Sequence, residues 1–446
     1  MAKTRTIPYI CQECSYTTIK WLGCCPSCSA FDSMKQVAPV IKHSKNSASL
    51  TDLAHVDLIP LERMRSGIDE WDRVTGGGIV PGSLMILTGD PGIGKSTLLL
   101  QIAYALGVKY RIFYFSSEES LEQIKLRTQR LSCTNSNVLF SDQADLDLLI
   151  ETCKNQEPAL VIIDSIQNCF LTETDTSAGS VGQLKEAAFK LMRLSKDYNI
   201  AVLTCGHITK EGVMAGPKTL EHVVDAVFYL QGEDRWQTRI LRSVKNRFGT
   251  NSELGFFEMN EQGLKEVPNI NEQLLEEISY SPGSLLISFL EGSRPLLIEL
   301  QALVLPSKYG TPQRVVSGID HTQVVLIAAI LEKYLHIKLS THDIFFKISG
   351  SFKIKSSAAD LGIALALLSS YFQKPLPEKS LALAEVSLTG QIKPINHLSM
   401  HSSEAEKFGI SHLILAANQK VETSCKTMKF GHVYELINLF GRDDDF

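Results

Sequence analysis

The chain has 446 residues, 44% of them hydrophobic and 21% charged, which is the composition of an ordinary globular protein with two or three domains. Its formal net charge is −5, so binding to nucleic acid must depend on local basic surface rather than on overall charge. Because no apolar run approaches the roughly 20 residues of a membrane span and the first residues lack a signal-peptide core, we expect a cytoplasmic protein without membrane contact.

Four of the ten cysteines have the spacing of ligands to one metal ion. Cys11 and Cys14 form one C-x-x-C pair, and Cys25 and Cys28 form a second. Two such pairs supply four thiolates, the donor set of structural Zn²⁺, and so short a segment needs a metal to fold. The sequence therefore predicts a zinc module here. Cys24 is an alternative ligand, although Cys25 gives the better spacing.

A strand, a glycine-rich turn and a helix are predicted in succession over residues 84–106. Gly89, Gly94, Lys95 and Ser96 fit the phosphate-binding pattern G-x-x-x-x-G-K-[ST]. In such a loop, backbone N–H groups and the helix N-terminus face the phosphates, the lysine reaches the β- and γ-phosphates, and the hydroxyl binds Mg²⁺. The residues assigned to ATP and Mg²⁺ are Gly89, Asp90, Pro91, Gly92, Ile93, Gly94, Lys95, Ser96 and Thr97.

Two further apolar runs, within residues 112–115 and 158–167, are predicted to be buried parallel strands, and the second strand ends in Asp164. Asp164, beside a phosphate loop, is the expected Mg²⁺ carboxylate. Glu118 and Glu119 follow the earlier strand, where a carboxylate can orient the water that attacks the γ-phosphate. Two solvated glutamates at the start of a helix are an equal alternative, and the choice between the two residues stays open.

Several basic residues allow both a functional and a structural interpretation. Lys125, Arg127 and Arg130 are expected on the solvated face of a helix. Lys245 and Arg247 are two residues apart, so in a strand they share a face and could contact the phosphates of a neighbouring subunit. A solvated strand edge is the alternative for that pair.

A third predicted strand of this region ends at His207, and two polar loops lie near it in the sequence. Residues 172–180 are polar, and residues 209–222 combine glycines with lysines. The second loop either touches an anionic polymer or is plain surface. The pattern then breaks at residues 266–283, after which a separate α/β unit with a hairpin and two apolar helices is predicted.

With these residues in hand, the chain resembles the bacterial DNA-repair ATPase family called RadA, or Sms. The resemblance runs nearly from end to end, and the KNRFG motif between the ATPase core and the last unit is specific to the family. The segments that carry it are KWLGCCPSC, the phosphate loop, FSSEES, VIIDSIQ, HITKEG, AGPKTLEH, KNRFG, SRPLLIELQALV and AADLGIALAL.

The resemblance implies a RecA-like ATPase core assembled as a ring, a homo-hexamer, around DNA. It implies binding of single-stranded and branched DNA, branch migration coupled to ATP hydrolysis, and partnership with a RecA-type recombinase or a replicative helicase. The family's catalytic glutamate falls on Glu118, its γ-phosphate sensor falls on His207, and Lys95 completes the catalytic set. The motif that contacts nucleotide or couples it to DNA at the subunit interface falls on Lys245, Asn246, Arg247, Phe248 and Gly249.

The last unit resembles the peptidase domain of Lon, whose nucleophile is a serine paired with a lysine. The resemblance puts Ala358 at the serine position and Ser399 at the lysine position, which implies a proteolytically inactive scaffold. Ser356 and Ser357 lie close, so a shift of the alignment by one residue would restore a serine but would still supply no lysine. Ser117 stands where glycine usually precedes the glutamates.

The sequence thus predicts an α/β protein: a RecA-like phosphate-loop core with a parallel-rich sheet, a small four-cysteine zinc module and a Lon-peptidase-like α/β domain. It predicts a DNA-dependent ATP hydrolase of recombinational repair that uses ATP, Mg²⁺ and Zn²⁺. The alternatives are an ATP-dependent switch that binds a protein partner and an ATP-dependent Lon-like protease. The predicted domains are a zinc finger at 1–35, a linker at 36–55, the ATPase domain at 56–268 and the Lon-like domain at 281–446.

Overall fold

The computed structural model describes residues 9–11, 17–18, 20–28, 30–31, 33–36, 62–133, 137–172, 180–207, 220–232, 238–251, 253–276, 278–308, 310–349 and 354–441. The chain forms two compact units, Met1–Pro60 and Leu61–Phe446. No helix of the described residues is both long enough and apolar enough to span a bilayer. The predicted domain boundaries stay predictions.

The first unit contains a small antiparallel sheet that includes one of the cysteines, Cys11. Its central strand, β1, pairs on one side with β2 and on the other with β3. Cys11 on β1 is the partner of Met34 on β3, so the two ends of the module are joined by backbone pairing. The strands are β1 (Tyr9–Cys11), β2 (Thr17–Thr18) and β3 (Met34–Gln36).

The second unit begins with a mixed sheet whose order, in the described residues, is β12-β11-β10-β9-β4-β8-β7-β5-β6. The strands from β9 to β6 in this order run parallel, and β10 to β12 form an antiparallel extension. The strands are β4 (Leu84–Gly89), β5 (Ile112–Ser116), β6 (Val138–Ser141), β7 (Leu160–Asp164), β8 (Ala201–His207), β9 (Ala226–Gly232), β10 (Thr238–Asn246), β11 (Leu254–Asn260) and β12 (Gly263–Glu266).

Helices cover both faces of this sheet, which is why its parallel strands are continuous apolar runs. In β4 the side chains alternate between two cores: Met85 and Leu87 pack with α1, α2 and α3, whereas Leu84 and Ile86 pack with α4 and α5. The helices are α1 (Asp69–Thr75), α2 (Lys95–Gly107), α3 (Leu121–Arg130), α4 (Leu146–Gln156) and α5 (Val181–Tyr198).

A second sheet follows, with the order β15-β16-β14-β13-β17-β20-β21 in the described residues. Its centre is the predicted hairpin of β13 and β14, beside a short separate pair of β18 and β19. The strands are β13 (Ser284–Glu291), β14 (Arg294–Pro306), β15 (Arg314–Ser317), β16 (His342–Ile348), β17 (Ser380–Leu383), β18 (Glu385–Val386), β19 (Ile392–Lys393), β20 (His412–Ala416) and β21 (Lys426–Phe430).

The helices of the last part are α6 (Ile270–Glu276), α7 (His321–Leu335), α8 (Asp360–Tyr371) and α9 (Leu398–Lys407). α6 lies where the sequence pattern indicates a break. Its seven residues are too few for a clear helical period. The two sheets share one hydrophobic core, because Leu254 and Phe256 of β11 pack in the same cluster as Ile287 and Ile298 of the hairpin.

Candidate functional site

The phosphate-loop pattern adopts the predicted strand, turn and helix. β4 ends at Gly89, the turn runs through residues 90–94, and α2 begins at Lys95. Gly92 and Gly94 have φ values of +75° and +112°, which only glycine adopts without strain. A side chain at Gly94 would also collide with Met259 of β11, since its Cβ would lie 2.5 Å from the methyl carbon. Both glycines are therefore required by the shape of the loop.

Lys95 is buried, and its ammonium lies against the loop itself. Its Nζ donates hydrogen bonds to the carbonyl oxygens of Gly89 and Asp90, each at 3.0 Å. The cation is thus held at the mouth of the loop, within the curl of backbone that faces phosphate in such motifs.

Asp164 ends β7 and is 5% exposed. Tyr114 of β5 donates a hydrogen bond to its Oδ2 at 2.9 Å. Its Oδ1 is buried without a hydrogen-bond partner among the described residues. A buried carboxylate oxygen needs a hydrogen-bond or metal partner. Oxygen ligands such as the Asp164 carboxylate and the Ser96 hydroxyl fit a hydrated Mg²⁺ beside the phosphate loop.

Glu118 extends toward the end of β7. Ser165 Oγ donates a hydrogen bond to Glu118 Oε1 at 2.5 Å. Ser165 itself is held by Ser117, whose hydroxyl donates to the Ser165 carbonyl at 2.9 Å and accepts from the Ser165 N–H at 3.0 Å. The Ser117 N–H also donates to the Asp164 carbonyl at 2.8 Å. These bonds fix the turn that carries Glu118 to the strand end that carries Asp164.

Glu119 points elsewhere. Its carboxylate forms an ion pair with Arg127 of α3, so the expectation that Arg127 lies on a simply solvated face was wrong. Burial raises the pKa of Glu119, and Arg127 opposes that effect. The pairing ties Glu119, which precedes α3, to that helix and distinguishes it from Glu118.

Cys205 of β8 reports how closely the chemical groups approach one another. Burial raises the pKa of this thiol well above its ordinary value, the charge of Asp164 raises it further, and the charge of Lys95 lowers it. Glu118 also acts on the same thiol. The ends of β4, β8, β7 and β5 follow one another along one edge of the parallel sheet. Lys95 after β4, Asp164 at the end of β7 and Glu118 after β5 therefore all lie at the carboxyl edge, where open α/β sheets bind ligands.

His207 ends β8, and its backbone pairs in register with Gly89 of the phosphate loop. Its side chain lies outside the described residues. The two polar loops near it in the sequence fall largely outside the described residues too, at residues 173–179 and 208–219.

The KNRFG segment forms a turn packed against the triple glycine at residues 76–78. Asn246 Nδ2 donates to the Thr75 carbonyl at 3.1 Å, and Asn246 Oδ1 accepts from the Phe248 N–H at 2.9 Å. A Cβ on Gly76 would lie 3.1 Å from the α-carbon of Gly249. The two turns thus touch backbone to backbone, an approach that their glycines permit.

Lys245 and Arg247 do not share a face of one strand as predicted, because β10 ends at Asn246 after an irregularity between Ser243 and Lys245. Lys245 Nζ donates to the carbonyls of Glu221 and Val224, the latter at 2.8 Å. Burial, with the nearby charge of Arg247, lowers the pKa of Lys245. The two cations nevertheless remain neighbours.

Asp225 anchors this corner and was not found by sequence reasoning. Its Oδ1 pairs with Arg247 at 3.3 Å, and its Oδ2 accepts from Lys196 at 2.9 Å and from the Leu84 N–H at 3.0 Å. Arg239 was missed as well; its Nε donates to the Ile93 carbonyl of the phosphate loop at 3.3 Å. Neither residue belongs to a recognisable sequence motif. Each makes its contacts with residues that are distant in the sequence, so only the folded structure shows them.

In the first unit, Cys11, Cys25 and Cys28 present sulfur atoms within 4.8 Å of one another. The Sγ atoms of Cys11 and Cys28 are 3.7 Å apart, too far for a disulfide bond but close to the roughly 3.8 Å between two thiolates on one tetrahedral Zn²⁺. Cys24 Sγ instead contacts the Cys25 carbonyl. Cys14 lies outside the described residues, and the donor set fits zinc.

In the last sheet, Ala358 lies in a short turn, Ser357–Ala359, and its N–H donates to Ser356 Oγ at 3.3 Å. Ser399 is exposed in the first turn of α9. The absence of a peptidase dyad at these two positions stays a prediction from the resemblance to Lon.

Comparison with known families identifies the three parts. A family model described as an AAA domain matches residues 62–213, one described as a rubredoxin metal-binding domain matches residues 9–36, and one described as the ChlI subunit of Mg-chelatase matches residues 316–419. The expected fold class is confirmed: a RecA-like core with a parallel-rich sheet, a cysteine zinc ribbon and a ChlI- or Lon-like domain.

Curated relatives match almost the whole chain. A DNA repair protein RadA of Listeria monocytogenes is 40% identical over 430 residues, which is 94% of each chain. The RadA of Bacillus subtilis is 39% identical over 429 residues, covering 94% of this chain and 93% of its own. Among solved structures, a RadB recombinase is 22% identical with a TM-score of 0.38, and the match covers 46% of this chain and 99% of its own.

Proposed function

Since the chain belongs to the RadA family of bacterial DNA repair proteins, we propose that it is a DNA-dependent ATPase that drives branch migration of recombination intermediates. It binds single-stranded and branched DNA in the cytoplasm and couples its movement on DNA to ATP hydrolysis. The observation that supports this proposal best is the position of Lys95, Asp164 and Glu118 at the carboxyl edge of one parallel sheet.

The phosphate loop would bind the triphosphate. Lys95, which now bonds to the carbonyls of Gly89 and Asp90, would turn its ammonium to the β- and γ-phosphates. The Ser96 hydroxyl and Asp164 Oδ1, which has no hydrogen-bond partner in the described part of the chain, would hold Mg²⁺. The ion would supply charge neutralisation of the phosphate oxygens.

Glu118 would orient the attacking water. It is exposed, it follows β5, and the hydrogen bond from Ser165 holds its carboxylate at the strand end where the γ-phosphate would lie. Glu119, paired with Arg127, would act through the position of α3. His207, at the end of the strand beside Gly89, would sense the γ-phosphate.

Lys245 and Arg247 would serve a neighbouring subunit. The Arg247 side chain is 56% exposed, so its guanidinium can leave Asp225 for an incoming phosphate at little cost. This role needs a ring, and we propose a homo-hexamer with DNA at its centre. A RecA-type recombinase or a replicative helicase would be its protein partner, and the zinc module would help to bind DNA or that partner.

The decisive experiment is steady-state ATP hydrolysis at low salt, with and without single-stranded DNA. We expect several-fold stimulation by DNA, with loss of hydrolysis in Lys95→Ala. Hydrolysis that ignores DNA, together with no DNA binding, would favour a nucleotide switch for a protein partner. Cleavage of casein would favour a Lon-like protease.

A further inference from the structure

A cavity of about 560 Å³ lies on the ATPase domain away from the phosphate loop. Lys109 and Tyr110 form one side of it, between the end of α2 and the start of β5. Because β4 and β5 run in the same direction within the sheet, this is the amino edge, opposite the edge that carries Gly89 and Glu118. The cavity is therefore separate from the ATP site.

The cavity concentrates positive charge. Arg63, Arg65 and Lys109 line it, and Glu62 is the one carboxylate among its described lining residues, so three cations face one anion. Arg65 and Lys109 are exposed, and their side chains make no hydrogen bond or ion pair within the described part of the chain. Because the cationic side chains outnumber the carboxylate, the cavity has a net positive charge that attracts phosphate groups.

Arg63 is held in place and connects the cavity to the KNRFG turn. Its Nη2 donates to the Phe248 carbonyl at 2.5 Å, and its Nη1 donates to the Thr75 carbonyl at 3.4 Å. Gly76 and Gly77 form another wall, where the lack of side chains leaves the cavity open beside the Arg63 stem. A group bound here would touch the same arginine that supports the turn carrying Lys245 and Arg247.

The lining indicates which phosphate fits. The volume suits a nucleotide unit rather than a lone ion, yet the wall is mainly polar and lacks the apolar slot of a small-molecule pocket. It offers cations and one aromatic ring, Tyr110, which is the combination that binds single strands through backbone charge and base stacking.

We propose that this cavity, lined by Arg63, Arg65, Lys109 and Tyr110, is a binding site for the phosphodiester backbone of a single-stranded nucleic acid. The inference rests on the proposed function and adds a second contact for the strand, outside the two loops. Through Arg63 and the Phe248 carbonyl, the bound strand would bias the position of the KNRFG turn.

The test measures binding of fluorescein-labelled oligo(dT) by anisotropy over a salt series, with the full chain saturated with ADP and Mg²⁺. Arg65→Ala and Lys109→Ala should each weaken binding about fivefold and flatten the log–log salt slope by about 0.7, the value for one phosphate contact on a single strand. Tyr110→Leu should weaken binding without changing the slope. Lys125→Ala, which removes an exposed lysine of α3, is the charge-matched control and should bind within twofold of the wild type.

A second readout follows acetylation of Lys109 by mass spectrometry, with oligo(dT), with pyrophosphate or with neither. Protection by oligo(dT) supports the site. Suppose that the wild type binds DNA, that the variants keep its affinity and salt slope, and that oligo(dT) does not protect Lys109. The proposed strand-binding site would then be wrong, and the proposed function would stand. If the wild type binds no DNA, the proposed function and the strand site both fail. Protection of Lys109 by pyrophosphate but not by oligo(dT) would overturn the strand site and indicate a site for free phosphate instead.

Discussion

Arg294 at the start of β14 lies against Glu70 of α1, with its Nη1 3.0 Å from Glu70 Oε2. The Glu70 side chain is 1% exposed and that of Arg294 is 12% exposed. Glu70 Oε2 also accepts the Phe256 N–H at 2.9 Å, and the guanidinium lies over the Phe256 ring. The pair joins the first helix of the ATPase sheet to the central hairpin of the second sheet.

Arg294→Met should lower the free energy of unfolding by about 3 kcal/mol, because it leaves Glu70 buried without its main cation. Urea unfolding of the full chain measures this. Arg73→Met is the matched control: Arg73 pairs with the same carboxylate at 3.4 Å but is 38% exposed, so we expect a loss below about 1 kcal/mol. If both variants lose the same free energy of unfolding, burial does not determine how much the Arg294 contact stabilises the fold.

Glu118→Gln should lower kcat for ATP by about 100-fold or more, because a neutral amide is a poor base for the attacking water. ATP binding should persist, since Lys95 and the loop are unchanged. Glu119→Gln is the control and should cost about threefold at most, the value of a partly exposed ion pair. A larger loss in Glu119→Gln than in Glu118→Gln would transfer the catalytic role to Glu119.

Ser117→Gly should lower kcat about tenfold and leave the KM for ATP unchanged. It removes both side-chain hydrogen bonds that tie Ser165 to the Glu118 turn, each worth about 1 kcal/mol. Ser141→Ala, at a strand-edge hydroxyl that caps the Gln143 N–H, is the control and should leave kcat unchanged. A Ser117→Gly enzyme with full kcat would show that the backbone alone positions Glu118.

One zinc ion per chain is expected by elemental analysis. Cys25→Ala should lose it, because three thiolates bind Zn²⁺ far less tightly than four. Cys24→Ala should keep it, since Cys24 Sγ lies outside the sulfur cluster and contacts a carbonyl. The reverse result would make Cys24 the ligand.

His401 of α9 should make stability depend on pH. Burial, with the nearby charge of His397, lowers its pKa to about 4, and its Nδ1 hydrogen-bonds to the Ser288 hydroxyl at 2.8 Å. The unfolded chain binds this proton near pH 6.5, so the stability is complete above that pH and falls as the pH drops toward 4.

Between pH 7.5 and pH 5, the wild type should lose about 2 kcal/mol more than His401→Gln in urea unfolding. His321→Gln, at an exposed histidine, should follow the wild type. Identical pH slopes for the wild type and His401→Gln would exclude a neutral buried His401.

Local pattern predicted the phosphate loop and the strands that frame it. Gly89 to Lys95 and the apolar runs ending at Asp164 and His207 are contiguous in the chain, and their strand, turn and helix follow from glycine conformation and burial on both faces. The short helix α6 was not predicted, because its seven residues make too few turns to show a helical period of apolar residues.

By itself, the sequence determined the residue types, their spacing and the family, and hence the phosphate loop, the cysteine pairs and the strands that frame the loop. Only the tertiary structure decided which neighbours meet. It set Glu118 against Ser165, Glu119 against Arg127 and Cys25 rather than Cys24 beside Cys11. The reason is physical: local structure depends on nearby residues, whereas these contacts join distant segments through packing that no short-range pattern encodes.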